Sequence, residues 1–197
     1  MMTDEYLTIS DNRIGEGYYT EKRSKFLAFS HHVTTVEHIK ELLAYYRKKY
    51  FDARHVCYAY MLGTSGETYR SNDDGEPSGT AGKPILGQIN SNALTDILIV
   101  VVRYYGGVNL GTSGLINAYR TAAAEAISTA DIEKRQVEEE VVFSFPYIMM
   151  NSVMRIVKEM SPKILSQNYD NTCEMRFAIR KSLANQLREK LRKLSFE

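Results

Sequence analysis

Apolar positions along the chain change period several times, and each change predicts an element. Glu16–Thr20 and Lys25–Ser30 read as two short strands joined around Glu21-Lys22-Arg23-Ser24. In the second, Phe26 and Ala28 alternate with Leu27 and Phe29, so cover is expected on both faces. Thr35 opens a helix in which Val36, Ile39, Leu42, Leu43 and Tyr46 recur at helical steps. Its basic last turn, Arg47-Lys48-Lys49, suits the negative end of the helix dipole. His55–Leu62 is rich in strand formers, Gly63-Thr64-Ser65-Gly66 is a turn, and Glu67–Ser71 returns as the second arm of a hairpin.

Asn72–Gly82 (NDDGEPSGTAG) is the sharpest shift in composition. Ala81–Ile89 follows as a short helix, with Pro84 tolerated in the first turn. Thr95–Tyr105 contains the longest apolar run, Ile97–Val102, and reads as a central strand covered on both faces. Gly106–Gly114 is a second glycine-rich loop, and Leu115–Ser128 an alanine-rich helix. A charge cluster over Ile132–Glu140 places a boundary near residues 131–138. Beyond it the order is strand (Val141–Phe145), helix (Tyr147–Met160), strand (Lys163–Tyr169), turn (Asp170-Asn171), strand (Thr172–Ile179) and helix (Leu183–Leu194). That βαββα order is the ferredoxin-like plan without its last strand. The expected division is 1–134 and 135–197.

Composition narrows the reading. In 197 residues, 25 Lys and Arg face 24 Asp and Glu, for a net charge of +1. Residues 1–136 carry 15 basic and 16 acidic side chains, and residues 137–197 carry 10 and 8. A domain basic over its whole surface is excluded, so any nucleic-acid contact must be local. No run approaches the ~18 apolar residues of a membrane span, and Met1–Ile14 lacks the apolar core of a signal peptide. A soluble cytoplasmic protein without a membrane partner is expected. Cys57 and Cys173 sit in apolar-alternating runs and read as buried thiols, not as a disulfide or a zinc site.

The glycine-rich loops carry the candidate chemistry. Gly79, Thr80, Ala81 and Gly82, followed by Lys83, read either as a tight turn or as an anion loop of backbone N–H groups. The spacing is not that of a Walker loop. Arg103, Tyr104 and Tyr105 end the central strand. Arg103 either pairs internally with Asp73, Asp74 or Glu76, or joins the tyrosines in holding a nucleotide. Gly106-Gly107 permits close packing or a positive backbone dihedral. Asp73, Asp74, Glu76 and His55 are acid/base candidates, with Ser78 or Thr80 as nucleophile. No Gly-x-Ser-x-Gly elbow surrounds Ser78, no metal-ligand spacing occurs, and no cofactor is expected. Asn117 and Arg120 share one helix face.

DDGEPSGTAGKPIL (Asp73–Leu86), IVVVRYYGGVNLG (Ile99–Gly111) and GLINAYRTA (Gly114–Ala122) together resemble the IMPACT family, in its bacterial two-domain form of the YigZ type. Ser113 departs from the pattern, standing where a second glycine of a pair is expected. The resemblance implies an α+β protein of two domains. The first is a β-sheet layered with two helices, similar to domain IV of elongation factor G. The second is similar to domain V of that factor. It also implies association with RNA, the ribosome or a translation factor, since eukaryotic members regulate translation. On this reading the protein has no catalytic residues, and its contact surface comprises Lys83, Arg103, Tyr104, Tyr105, Asn117 and Arg120. No DNA specificity is expected. Two alternatives stand beside it: a small-substrate hydrolase or transferase with its pocket between the two loops, and a regulator that docks only on a protein partner.

Overall fold

The first body of the protein is organised by one central strand. In the computed structural model, which describes residues 4–169 and 172–194, a five-stranded antiparallel sheet runs β2-β3-β6-β4-β5. These strands are β2 (Gly15–Glu21), β3 (Ser24–His32), β4 (His55–Leu62), β5 (Thr68–Asn72) and β6 (Ile97–Tyr104). The run Ile97–Val102 is fully buried because β6 is covered twice. Leu98, Val100 and Val102 face α1 (Val36–Lys49), together with Phe29, Tyr46, Tyr58 and Tyr60. Ile97, Ile99 and Val101 face the opposite layer, made by α2 (Gly82–Ser91) and α3 (Gly111–Ser128). Three helices therefore flank the sheet, one more than the resemblance implied.

Helix α1 begins where Thr35 accepts from the His38 N–H, a side-chain N-cap. Helix α3 buries Leu115, Ala118, Tyr119, Ala122, Ala123, Ala126 and Ile127 on one stripe. Its alanines let β2 come close: a Cβ on Gly17 would lie 2.4 Å from the Ala122 carbonyl oxygen and 2.6 Å from the Ala126 nitrogen. α3 begins at Gly111, inside the segment expected to be loop. The first turn of a helix needs no intrahelical acceptor for its N–H groups, so residues of low propensity are tolerated there. A small sheet of β1 (Glu5–Ile9) and β7 (Ile132–Gln136) adds a pairing absent from the periodicity reading.

The chain divides into Tyr6–Arg135 and a second unit from Gln136 onward. Asp4 and Glu5 group with the second unit, unlike the expected 1–134 division. The Val137 N–H donates to the Asp4 carbonyl at 2.7 Å, and Arg180 pairs with Asp4 at 3.0 Å. This unit comprises β8 (Glu138–Phe145), α4 (Met150–Met160), β9 (Lys163–Tyr169), β10 (Cys173–Arg180) and α5 (Lys181–Leu194). Its antiparallel sheet has the order β8-β10-β9. Its core is Val141, Phe145, Met175 and Phe177 against Val153, Ile156, Leu187 and Leu191. The expected Asp170-Asn171 turn lies outside the described residues. No helix among the described residues is long and apolar enough to cross a membrane. Cys57 and Cys173 are buried and free.

Candidate functional site

Strand alternation decides what the end of β6 presents. Arg103 follows Val101 onto the α2/α3 face, whereas Tyr104 follows Val102 onto the α1 face. There Tyr104 packs beside the α1 core and donates to Asp52 at 2.9 Å. Arg103 and Tyr104 therefore do not share a surface.

Arg103 Nη1 donates to Glu76 Oε1 at 2.6 Å, and the Tyr119 hydroxyl donates to the same oxygen at 2.7 Å. Nη2 makes a long contact with Ser24 Oγ, 3.4 Å. The guanidinium carbon lies 5.5 Å from the ring centres of Phe26 and Tyr105. Of the three carboxylates offered to Arg103, the partner is Glu76. Burial, with Cys57 and Glu76 beside it, pushes the Tyr119 phenol well above its usual range, so it stays a donor. Burial likewise pushes the Cys57 thiol far up. Cys57 donates to the Asp73 carbonyl at 3.0 Å and lies 3.3 Å from the Tyr119 oxygen.

The first glycine loop closes on itself. Asp73 Oδ2 accepts from the Gly79 N–H, and Oδ1 from the Ala81 and Gly82 N–H groups, at 2.8 to 3.0 Å. The amides expected to hold an external anion thus hold the chain's own carboxylate. Burial works to raise the Asp73 pKa, but the three amides and Lys83 outweigh it and hold it below the usual carboxylate range. Asp74 accepts from the Val56 N–H and from Arg47, both at 2.7 Å. The Thr80 hydroxyl is buried and donates to the Pro77 carbonyl at 2.6 Å, so it is poorly placed as a nucleophile. Ser78 and Lys83 are exposed.

Above the Arg103–Glu76 pair lies an open cleft of about 540 Å³. Arg54, His55, Glu76 and Pro77 line it on one side, Tyr105 and Asn109 on another, and Leu110, Gly111, Thr112 and Leu115 at the start of α3. His55 Nδ1 is 2.7 Å from the Asp74 carbonyl oxygen, and Nε2 is 3.7 Å from Glu76 Oε2. Gly106 and Gly107 divide the two expected roles. Gly106 packs against the Arg23–Ser24 backbone and donates to Ser24 Oγ, while Gly107 has φ +82°.

The structure therefore brings Arg103, Tyr105, Glu76 and His55 together. Asn117 and Arg120 are exposed on α3 outside the cleft lining, with Asn117 within 3.4 Å of the Tyr19 hydroxyl. Sequence reasoning missed Tyr119, Cys57, Arg54 and Thr112. Tyr119 was within reach: it lies on the buried stripe of α3, in phase with Leu115 and Ala122. Among the described residues, no cluster of His, Cys, Asp and Glu could hold a metal ion.

Known proteins align with both halves of the chain. A model of the Impact N-terminal domain matches residues 22–127. The IMPACT family member YigZ of Escherichia coli is 32% identical over 160 residues, covering 80% of this chain and 78% of that protein. The IMPACT family member YvyE of Bacillus subtilis is 28% identical over 194 residues, covering 98% of this chain and 88% of the relative. A crystal structure described as that of a hypothetical protein superposes with a TM-score of 0.76 at 28% identity, covering 98% of this chain and 94% of its own.

Proposed function

The chain belongs to the IMPACT family, and from that premise we propose a non-catalytic binding protein that regulates translation by associating with RNA, the ribosome or a translation factor. One observation carries the non-catalytic reading: the acid/base candidates have internal partners. Glu76 accepts from Arg103 and Tyr119, Asp73 from three backbone amides, and Asp74 from Val56 and Arg47. These contacts hold the first glycine loop onto β4 and β6, which suits a rigid docking surface.

Co-sedimentation of the full chain with ribosomes across a salt series, with and without nuclease, tests the reading. Association through phosphates weakens steeply with salt because counterions are released. Association that survives nuclease treatment assigns the contact to a protein partner. Absence of association here and in pull-downs with structured RNA and with translation factors removes the proposal.

His55 supports the second reading, a hydrolase or transferase. It lines the open cleft with Nε2 3.7 Å from Glu76 Oε2, while Nδ1 is anchored on a backbone carbonyl. Turnover of a phosphoester, peptide or acyl ester that disappears in His55→Ala establishes that reading, and turnover that persists rejects this site.

A further inference from the structure

Four strands of the five-stranded sheet reach one common rim. β2 ends and β3 starts at the Lys22-Arg23 turn, β6 ends at Tyr104, and β4 starts at His55. In the order β2-β3-β6-β4 these ends are neighbours, so the rim spans three strand spacings, ~14 Å. Lys25 lies opposite Tyr104 across the β3–β6 pair, and the Arg54 N–H donates to the Arg103 carbonyl at 3.0 Å. Helix α1 finishes here too, since the Tyr104 hydroxyl reaches Asp52 just past its end.

Positive charge gathers on this rim. Lys22, Arg23, Lys25 and Arg54 are exposed, and none of them forms an ion pair among the described residues. The carboxylates nearest them are Glu21, which accepts from the Tyr19 hydroxyl, and Asp52. Asp74 and Glu76 are neutralised by Arg47 and Arg103. Glu16 and Glu125 line a separate hollow with Tyr18 and Lys49. A body in which acids slightly outnumber bases thus sets four unpaired cations along one edge. The turn is built against the usual preference. Lys22 and Arg23 have φ of +44° and +66°, the left-handed pair of a two-residue type I′ turn, where Asn-Gly is favoured. Gly106 packs on the Arg23–Ser24 backbone beneath it. Backbone strain of this kind persists where the surrounding structure enforces it and clusters at functional sites.

Rings flank the cations. Phe51, 84% exposed, follows α1, and Tyr105, 48% exposed, follows β6. Exposed rings beside unpaired cations match one class of polymer, whose phosphates meet the cations while its unpaired bases stack on the rings. A duplex keeps its base faces covered and cannot use Phe51 in this way. We propose that this rim binds single-stranded RNA. The rim specifies phosphates and unstacked bases, and the choice of RNA rests on the translation reading above.

Fluorescence anisotropy of the full chain with a short labelled oligouridylate tests the proposal. Saturable binding is expected, with a slope of log affinity against log salt of about −3 for four phosphate contacts on a single strand. Lys22→Asn with Arg23→Gly removes two cations and supplies the residues that the turn prefers. Its melting temperature should not fall, while affinity drops about tenfold and the slope eases to about −1.4. Phe51→Ala should weaken binding about tenfold at an unchanged slope. No saturable binding overturns the rim, as does affinity unchanged in both variants. Equal or tighter binding of duplex RNA overturns the single-strand mode. Tighter binding of oligodeoxyuridylate overturns the choice of RNA, and binding of polyglutamate in place of the oligonucleotide assigns the rim to an acidic protein. Co-sedimentation judges the translation reading separately. Ribosome association that persists in the double variant, with no oligonucleotide bound, overturns the rim and leaves that reading standing. Oligonucleotide binding by a protein that meets neither ribosomes nor translation factors supports the rim and removes translation regulation.

Discussion

Arg103 Nη1 and Glu76 Oε1 lie 2.6 Å apart, with side chains 6% and 3% exposed. The pair ties the first glycine-rich loop to the central strand, and each charge has little contact with water. Arg103→Ala leaves a buried carboxylate without its counter-charge and should destabilise the protein by ~3–5 kcal/mol. Replacing both partners with apolar side chains, Arg103→Met with Glu76→Leu, should recover part of that loss, the Tyr119 hydroxyl being left without its acceptor. Urea unfolding followed by circular dichroism measures both. A wild-type midpoint in Arg103→Ala would show that the pair does not hold the loop.

Asp73 governs the same loop through backbone amides. Asp73→Ala leaves the Gly79, Ala81 and Gly82 N–H groups without their acceptor and should cost ~1–3 kcal/mol. Its folded pKa lies below the ordinary value of 3.8. Its contribution is therefore complete above the unfolded pKa and is lost as pH falls through the folded one. Wild-type stability should drop more steeply than that of Asp73→Ala below about pH 4. Parallel curves in that range would contradict the assignment.

His31 acts in a different pH window. Burial, with His38 nearby, lowers its pKa from 6.5 to about 4, and its Nε2 shares a 2.7 Å hydrogen bond with the Tyr46 hydroxyl. Between those two values the unfolded chain holds a proton that the folded chain lacks. Stability should therefore fall as pH drops from 6.5 toward 4, by at most about 1.4 kcal/mol per pH unit. His31→Gln should flatten that slope while leaving the Asp73 window in place. Unfolding free energies across a pH series, wild type against variant, test it.

Gly106 and Gly107 should respond differently to the same substitution. A Cβ on Gly106 would lie 2.2 Å from the Arg23 carbonyl carbon and 2.3 Å from the Ser24 nitrogen. Neither backbone atom can rotate aside. At Gly107 nothing lies within 4 Å, and the obstacle is φ +82°. Gly107→Ala should cost ~1–2 kcal/mol from the left-handed backbone. Gly106→Ala should cost more and displace Ser24 from Arg103. Thermal melts of the two variants give the order.

Cys57 should be inert to thiol reagents. Burial, its leading influence, holds its pKa far above the usual thiol range, and reactivity requires the thiolate. Cys173 is also buried. A disulfide-exchange dye should find no reactive thiol in the native protein and two after denaturation. Rapid labelling of Cys57 in the native state would mean that the Tyr119 region opens.

Elements with strong local periodicity were legible from the residues. The stripe Val36, Ile39, Leu42, Leu43 and Tyr46 named α1, and the apolar run from Ile97 to Val102 named the covered central strand. β1 and β7 were not legible. Ile132-Glu133-Lys134-Arg135-Gln136 reads as a charge cluster, and its pairing partner lies more than a hundred residues away. The site was half legible. The loops carried Arg103, Glu76 and His55 into view, but the partner of Arg103 depended on a long-range fold. Alternation within β6 separated Arg103 from Tyr104, a consequence of strand geometry that the Arg-Tyr-Tyr motif conceals. Asp73 hid its role for a different reason: a carboxylate followed by glycines reads equally as a solvated turn and as an internal cap.

The order β2-β3-β6-β4-β5 has a consequence for how the chain is made. The middle strand is the last of the five to leave the ribosome during synthesis. Until Tyr104 has emerged, β2–β3 and β4–β5 exist only as separate hairpins, each with an open edge. β6 closes both edges at once and delivers Arg103 to the waiting Glu76 in the same step. Completion of the sheet and neutralisation of its buried charge are one event, so a nascent chain stalled before residue 103 holds neither.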